Sequence, residues 1–206
     1  MGRGKFIVFE GTDGSGKSTQ MKLLGKHLAA QGVPVSLTHE PTRSPFGELL
    51  HSCMSGKVDT DERAIAALFA ADRIDHIRGI ISALEAGTTV LCDRYYFSSF
   101  AYNGGFVPLD WVIELNRPAM ELLRPDLVIY LDISAEDCMK RVTKRGETER
   151  YENLERQKLI REKYFEVFER FKEQENIVIV KSDSDLNETQ THVRRLADDL
   201  FLGGKQ

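Results

Sequence analysis

The segment Gly11-Thr12-Asp13-Gly14-Ser15-Gly16-Lys17-Ser18-Thr19 follows directly on an apolar run, Phe6 to Glu10, and opens into a helical pattern. It matches G-x-x-x-x-G-K-[ST] in the strand, loop and helix context that this motif demands. Its glycines let successive backbone N–H groups turn inward around phosphate oxygens, and the helix N-terminus adds a partial positive charge. Lys17 then reaches the β- and γ-phosphates, and Ser18 can ligate Mg²⁺. The motif is specific for a nucleoside triphosphate and silent about what receives the phosphoryl group.

The rest of the chain supplies the framework such a loop needs. Short β-rich runs recur at Val33 to Thr38, Thr89 to Asp93, Leu127 to Asp132 and Ile177 to Lys181. Each is nearly continuous in apolar residues, as strands covered on both faces require. Longer helical patterns lie between them: Thr19 to Gln31, stopped by Gly32, then Asp61 to Ala86, Leu109 to Leu123 and Leu186 to Leu202. The expected architecture is α/β: a three-layer P-loop kinase fold with a five-stranded parallel sheet flanked by helices, and ligands gathered at the carboxyl ends of the strands. A length of 206 residues suits one domain, 1–206. Lys140 to Arg156 differs in kind, mixing Lys140, Arg141, Lys144, Arg145, Arg150 and Arg156 with four glutamates around Gly146. It reads as a short mobile lid, at about 144–156, between two helices.

Charge and cysteine usage remove several classes. A net charge of -4 lacks the broad basic footprint of a nucleic-acid binder, so anionic ligands need locally concentrated cations. Cys53, Cys92 and Cys138 are widely spaced, offering neither a disulfide framework nor a CxxC site, and a reducing, cytoplasmic setting fits them. The longest apolar runs fall far short of a membrane span. A switch GTPase needs N-K-x-D and D-x-x-G segments; N-K-x-D is missing, and the one D-x-x-G, Asp13 to Gly16, lies inside the phosphate loop. A small-molecule kinase instead needs an acceptor pocket and a cationic lid, for which Arg73, Arg94 and the 140–156 segment are candidates.

Several segments in order, Phe9 to Gln20, Leu68-Phe69-Ala70-Ala71-Asp72-Arg73, Asp93-Arg94-Tyr95, Ser98 to Tyr102, Pro125-Asp126-Leu127 and Glu149-Arg150-Tyr151-Glu152, resemble the thymidylate kinase family. The resemblance covers most of the chain and implies phosphorylation of dTMP by ATP with Mg²⁺, in a homodimer. It implies that ATP is held by Gly11, Thr12, Asp13, Gly14, Ser15, Gly16, Lys17, Ser18 and Thr19, and by Arg141. It assigns base stacking to Phe69 and a base oxygen to Arg73; these residues, four apart on a helix, share one face. Asp13 is implied at the sugar 3'-hydroxyl, Arg94 at the acceptor phosphate, and Tyr102 against the deoxyribose, where a 2'-hydroxyl has no room. Glu40, Pro41, Arg43, Ser98, Ser99 and Tyr151 complete the implied dTMP site. Lys17, Asp93, Arg94, Arg145 and Arg150 are the implied catalytic group, with Ser18 and Asp93 at the metal. Acceptance of dUMP, UMP or CMP stays open, since one methyl group in a fitted pocket contributes only about 1–3 kcal/mol.

The family type common in eukaryotes carries Arg directly after the loop aspartate, where this chain has Gly14. Another cation must therefore meet the charge on the moving phosphoryl group. Arg145 and Arg150 are the candidates, Arg150 first because the Glu-Arg-Tyr-Glu match around it is tighter. At least one of Arg145→Ala and Arg150→Ala is expected to lower kcat by about 10²-fold while KM changes little, as for a cation acting in the transition state. Steady-state kinetics check this; near wild-type turnover in the double variant removes both residues from the transfer step.

Overall fold

Side chains alternate along a strand, so a run apolar at every position must bury both of its faces. The computed structural model describes residues 2–143, 154–182 and 185–202. Its strands β1 (Phe6–Glu10), β2 (Val35–His39), β3 (Thr89–Asp93), β4 (Leu127–Asp132) and β5 (Ile177–Lys181) form one sheet in the order β2-β3-β1-β4-β5. Every pairing is parallel, with Phe9 beside Asp93, Glu10 beside Tyr130 and His39 beside Asp93. The helices are α1 (Lys17–Ala30), α2 (Pro45–Met54), α3 (Glu62–Glu85), α4 (Tyr96–Tyr102), α5 (Leu109–Leu122), α6 (Ala135–Thr143), α7 (Leu154–Phe171) and α8 (Leu186–Leu202). None of them is long and apolar enough to cross a membrane.

The alternation divides the core in two. Phe6, Val8, Val90, Cys92, Val128 and Tyr130 face one way, packing with residues of α3, α4, α5 and α7. Ile7, Phe9, Leu91, Leu127, Ile129 and Leu131 face the other way, against α1 and α8. The outer strands depart from the expectation of full cover: Leu37 on β2 and Ile179 on β5 are each 43% exposed, because each edge strand has a neighbour on one side only. A third, smaller cluster of Leu50, Cys53 and Ile65 joins α2 to α3, with Phe69 packed against it.

The expected strands and long helices are present with shifts of one or two residues at their ends. Two features differ from the sequence expectation, and a third falls outside what the structure describes. The helices α2 and α4 occupy stretches for which sequence periodicity predicted no element. The charged segment read as a flap from Lys140 begins and ends in helix, since Lys140 and Arg141 belong to α6 and Arg156 to α7. The middle of the expected lid, with Arg145, Arg150 and Tyr151, lies outside the described residues.

Candidate active site

The β1 strand delivers the chain into the phosphate loop through three glycines with positive φ, Gly11 (148°), Gly14 (85°) and Gly16 (95°). Gly11 has a second constraint, because a Cβ there would lie 2.6 Å from Ser15 Oγ and 2.9 Å from Leu131 O. Gly16 is the left-handed N-cap of α1, which leaves the first amides of α1 free of any side-chain cap. Lys17 is buried and donates to Gly11 O and Thr12 O, both at 3.0 Å. Burial pushes its ammonium pKa down and Arg94 adds to this, while Asp93 and Asp13 oppose the shift. The loop is also held from behind: Thr12 Oγ1 and Asp13 O contact Cys138 Sγ on α6 at 2.9 and 2.8 Å, and Ser182 Oγ donates to Ser15 O. Arg141 Nη2 donates to Ser182 O, so the same helix backs the loop at two points.

Asp93, the last residue of β3, accepts a 2.7 Å hydrogen bond from Ser18 Oγ through Oδ2. Its buried Oδ1 has no hydrogen-bond partner among the described residues. Both residues line a cleft with Asp13, Lys17, Thr19, His39 and Arg94. An unmatched carboxylate oxygen beside a hydroxyl is the oxygen-only donor set that suits Mg²⁺, which keeps water and phosphate oxygens as its remaining ligands.

Beside this cleft lies a second one, lined by Asp13, Glu40, Pro41, His51, Met54, Phe69, Arg73, Arg94, Ser98, Ser99, Tyr102 and Asn103. Asp13, Glu40 and Arg94 line both clefts. Arg94 has φ of 72°, a left-handed backbone that costs a non-glycine residue about 1–2 kcal/mol. Its Nη2 donates to Asp13 Oδ1 at 2.6 Å and to Tyr102 OH at 3.0 Å, and its guanidinium lies 4.7 Å from the Tyr102 ring centroid. Tyr102 OH donates in turn to Asp13 Oδ2 at 3.0 Å. Burial raises the Asp13 pKa, but Arg94 and Lys17 outweigh it and bring the carboxyl down to about 2. Asp13 therefore stays ionised throughout the neutral range.

Arg73 lines the second cleft and is also the centre of a buried network. It is 1% exposed, with Nε on Glu40 Oε2 at 2.8 Å, Nη1 on Ser99 Oγ and Asn116 Oδ1, and Nη2 on Tyr95 O at 3.1 Å. Four of its five N–H donors are thus matched, and the second on Nη2 has no partner among the described residues. Glu40 is shared with His76, whose Nδ1 lies 3.0 Å from Oε1. Phe69 lines the cleft while also packing on the α2 cluster, so its contact with the core does not withdraw it from the cleft wall. Arg43 is exposed and does not line either cleft. Its loop is pinned on both sides, because Asp72 accepts from Thr42 N, Thr42 Oγ1 and Ser44 Oγ.

Sequence reasoning gave no role to Glu10, Asp72, His76, Asn103 or Tyr164. The buried Asn103 amide lines the second cleft with neither of its side-chain heteroatoms hydrogen-bonded among the described residues. The signal for Glu10 was available: a carboxylate closing an otherwise apolar strand cannot be accidental where both faces are covered. For Asp72 and His76 the signal was their spacing around Arg73 on one helix. Asn103 carried no such mark.

A thymidylate kinase family model matches residues 9–193. Similar proteins include the "Probable thymidylate kinase" of Thermococcus gammatolerans, 40% identical with 98% of this chain and 99% of that protein covered. The "Probable thymidylate kinase" of Pyrococcus abyssi is 39% identical over 98% and 99% of the two chains. The "Thymidylate kinase" of Symbiobacterium thermophilum is 37% identical over 95% and 94%. The chain belongs to the thymidylate kinase family. It is accordingly a P-loop kinase that uses ATP, and its α/β sheet with an ordered phosphate loop is the framework of that reaction.

Because Arg73 is both scaffold and cleft residue, removing it should affect folding as well as binding. Arg73→Ala leaves Glu40 as a buried charge without its main partner, a loss of about 3–5 kcal/mol by analogy with broken buried pairs. Arg73→Lys is expected to fold better than the alanine variant, yet to bind dTMP more weakly than wild type, since a point charge does not replace the planar fork. Thermal denaturation and dTMP titration check this; an unchanged melting temperature in the alanine variant rules out the scaffold role.

Proposed function

We propose that this enzyme holds ATP with its phosphates in the loop from Gly11 to Thr19 and holds dTMP in the second cleft, with the two phosphates meeting at Arg94. The observation that carries this assignment is that Arg94 and Asp13, paired at 2.6 Å, line both clefts. Two mutually repelling anions need a cation between them, and Arg94 supplies it without a change of protonation.

On the donor side, Lys17 exchanges its hydrogen bonds to Gly11 O and Thr12 O for phosphate oxygens, and the free amides at the start of α1 hold the β-phosphate. Ser18 and Asp93 would hold Mg²⁺, which supplies charge neutralisation on the phosphate oxygens when bound. On the acceptor side, Phe69 stacks on thymine while Arg73 and the Asn103 amide meet its polar edge. Asp13 accepts the 3'-hydroxyl, and the Tyr102 ring occupies the space a 2'-hydroxyl would need. Arg94 aims the acceptor phosphate so that its oxygen attacks the γ-phosphorus in line, a step governed by position and charge rather than by a strong base. Arg145 and Arg150, which lie outside the described residues, complete the charge balance on the moving phosphoryl group, and Arg141 serves the ATP side. Arg43 and Tyr151 belong to the dTMP side of the same reading.

A homodimer in the cytoplasm is part of the same reading. The family resemblance supports the dimer, and three buried free cysteines, Cys53, Cys92 and Cys138, suit a reducing compartment.

The test is ADP formation by a coupled assay across dTMP, dUMP, UMP, CMP, dGMP and AMP. Turnover dependent on dTMP and weaker with the others is expected; equal rates with UMP or CMP would overturn the acceptor assignment. Tyr102→Ala should raise kcat/KM for the ribonucleotide relative to dTMP, whereas Tyr102→Phe, which keeps the ring, should not. An unchanged ratio in the alanine variant moves sugar discrimination to another residue.

A further inference from the structure

Glu10 is the last residue of β1, immediately before the phosphate loop, and is fully buried. A carboxylate in such a place is costly unless its lone pairs are matched. Here they are matched four times, always by donors. Oε1 accepts from Tyr95 N at 2.8 Å and Ser98 N at 3.3 Å. Oε2 accepts from Ser98 Oγ at 2.6 Å and Tyr164 OH at 2.9 Å. Burial raises the Glu10 pKa, while Ser98 and Arg94 work against the shift.

Two consequences reach Arg94. First, Ser98 has one hydroxyl hydrogen and gives it to Glu10, which turns a lone pair toward Arg94 Nη1 at 3.0 Å. Second, β1 grips the backbone on both sides of the strained residue. Phe9 O accepts from Arg94 N at 2.9 Å, and Glu10 Oε1 accepts from Tyr95 N, the next amide. The left-handed φ of Arg94 is therefore held by consecutive residues of β1. Strain of this kind persists only where the surroundings over-determine it.

We propose that Glu10 is a positioning residue that aims Arg94 at the acceptor phosphate, through the Ser98 hydroxyl and the Tyr95 amide. Glu10 does not line either cleft, so it acts on Arg94 and not on the nucleotide. Tyr164 extends the arrangement to α7: its hydroxyl lies 2.9 Å from both Glu10 Oε2 and Ser98 Oγ. The inference rests on the assignment of Arg94 to the acceptor phosphate made above.

The distinguishing readout is the affinity for dTMP against that for thymidine, which has the same base and sugar but no phosphate. Both are measured on Arg94→Ala, Glu10→Gln and Ser98→Ala by calorimetry or, for the weaker ligand, by competition. Gln offers a donor where Oε2 must accept, so it breaks the hydroxyl arrangement with little change of volume. Glu10→Gln is expected to weaken dTMP binding by about tenfold or more, the scale of a charge-assisted hydrogen bond, and to leave thymidine within about twofold. Ser98→Ala removes a cleft-lining hydroxyl that itself touches Arg94, and is expected to weaken dTMP binding at least as much. Loss of both ligands by the same factor in Glu10→Gln, or of neither, overturns the proposal. If Arg94→Ala itself fails to discriminate dTMP from thymidine, the assignment of Arg94 falls; if Arg94→Ala discriminates and Glu10→Gln does not, only the role of Glu10 falls. Should Glu10→Gln not fold, Glu10→Asp decides by the same two affinities, since the shorter side chain keeps the charge and withdraws it from Ser98 Oγ and Tyr95 N.

Discussion

Carboxylates stand at the carboxyl ends of the inner strands and of the adjoining edge, each met by a donor from another element. Glu10 ends β1, Glu40 follows β2, Asp93 ends β3 and Asp132 ends β4. Their partners are Ser98 and Tyr164, Arg73 and His76, Ser18, and Arg161, the last pairing with Asp132 at 2.6 and 2.9 Å. A parallel sheet covered on both faces has no other place for charge, so polar chemistry collects at this end. The clefts follow from that confinement.

The pairs differ in how much freedom they leave. Arg73 and Glu40 are almost wholly enclosed and multiply bonded, so they stiffen the floor of the second cleft. Arg94 and Asp13 are partly open, with the Asp13 side chain 38% exposed. Their bond can therefore be exchanged for contacts to ligand without leaving a buried charge unmatched. Asp93 keeps one oxygen unmatched among the described residues, an arrangement that makes sense where a cation or a phosphate-bound ion completes it. Under the proposed assignment, rigidity lies under the base and adaptability at the phosphates.

The backing of the phosphate loop links these sites to the segment beyond α6. Cys138 and Arg141 sit on one helix and touch the loop and Ser182, while Lys158 on α7 reaches Glu136 on α6 at 3.2 Å. Tyr164, on the same α7, reaches Glu10. Of the two helices on either side of residues 144–153, α6 is consequently tied to the phosphate loop and α7 to Glu10.

Much of this was legible without coordinates. The phosphate loop, the five strands and the long helices came from local spacing and from residue chemistry that repeats over a few positions, whereas the candidate roles of Phe69, Arg73, Asp93, Arg94 and Tyr102 were implied by the family resemblance. The helices α2 and α4 were missed because α4 is seven residues long and α2 begins at Ser44-Pro45, a capping signal without a long apolar stripe behind it. The Arg73 network was missed for another reason: its partners come from residues 40, 95, 99 and 116, which only packing brings together. By itself, then, the sequence determined the triphosphate loop and a sheet buried on both faces, since glycine geometry and apolar periodicity act within one segment. Tertiary structure alone decided which charges are buried, which donors stay free and how Glu10 reaches Arg94, because hydrogen-bond matching depends on distances between segments remote along the chain.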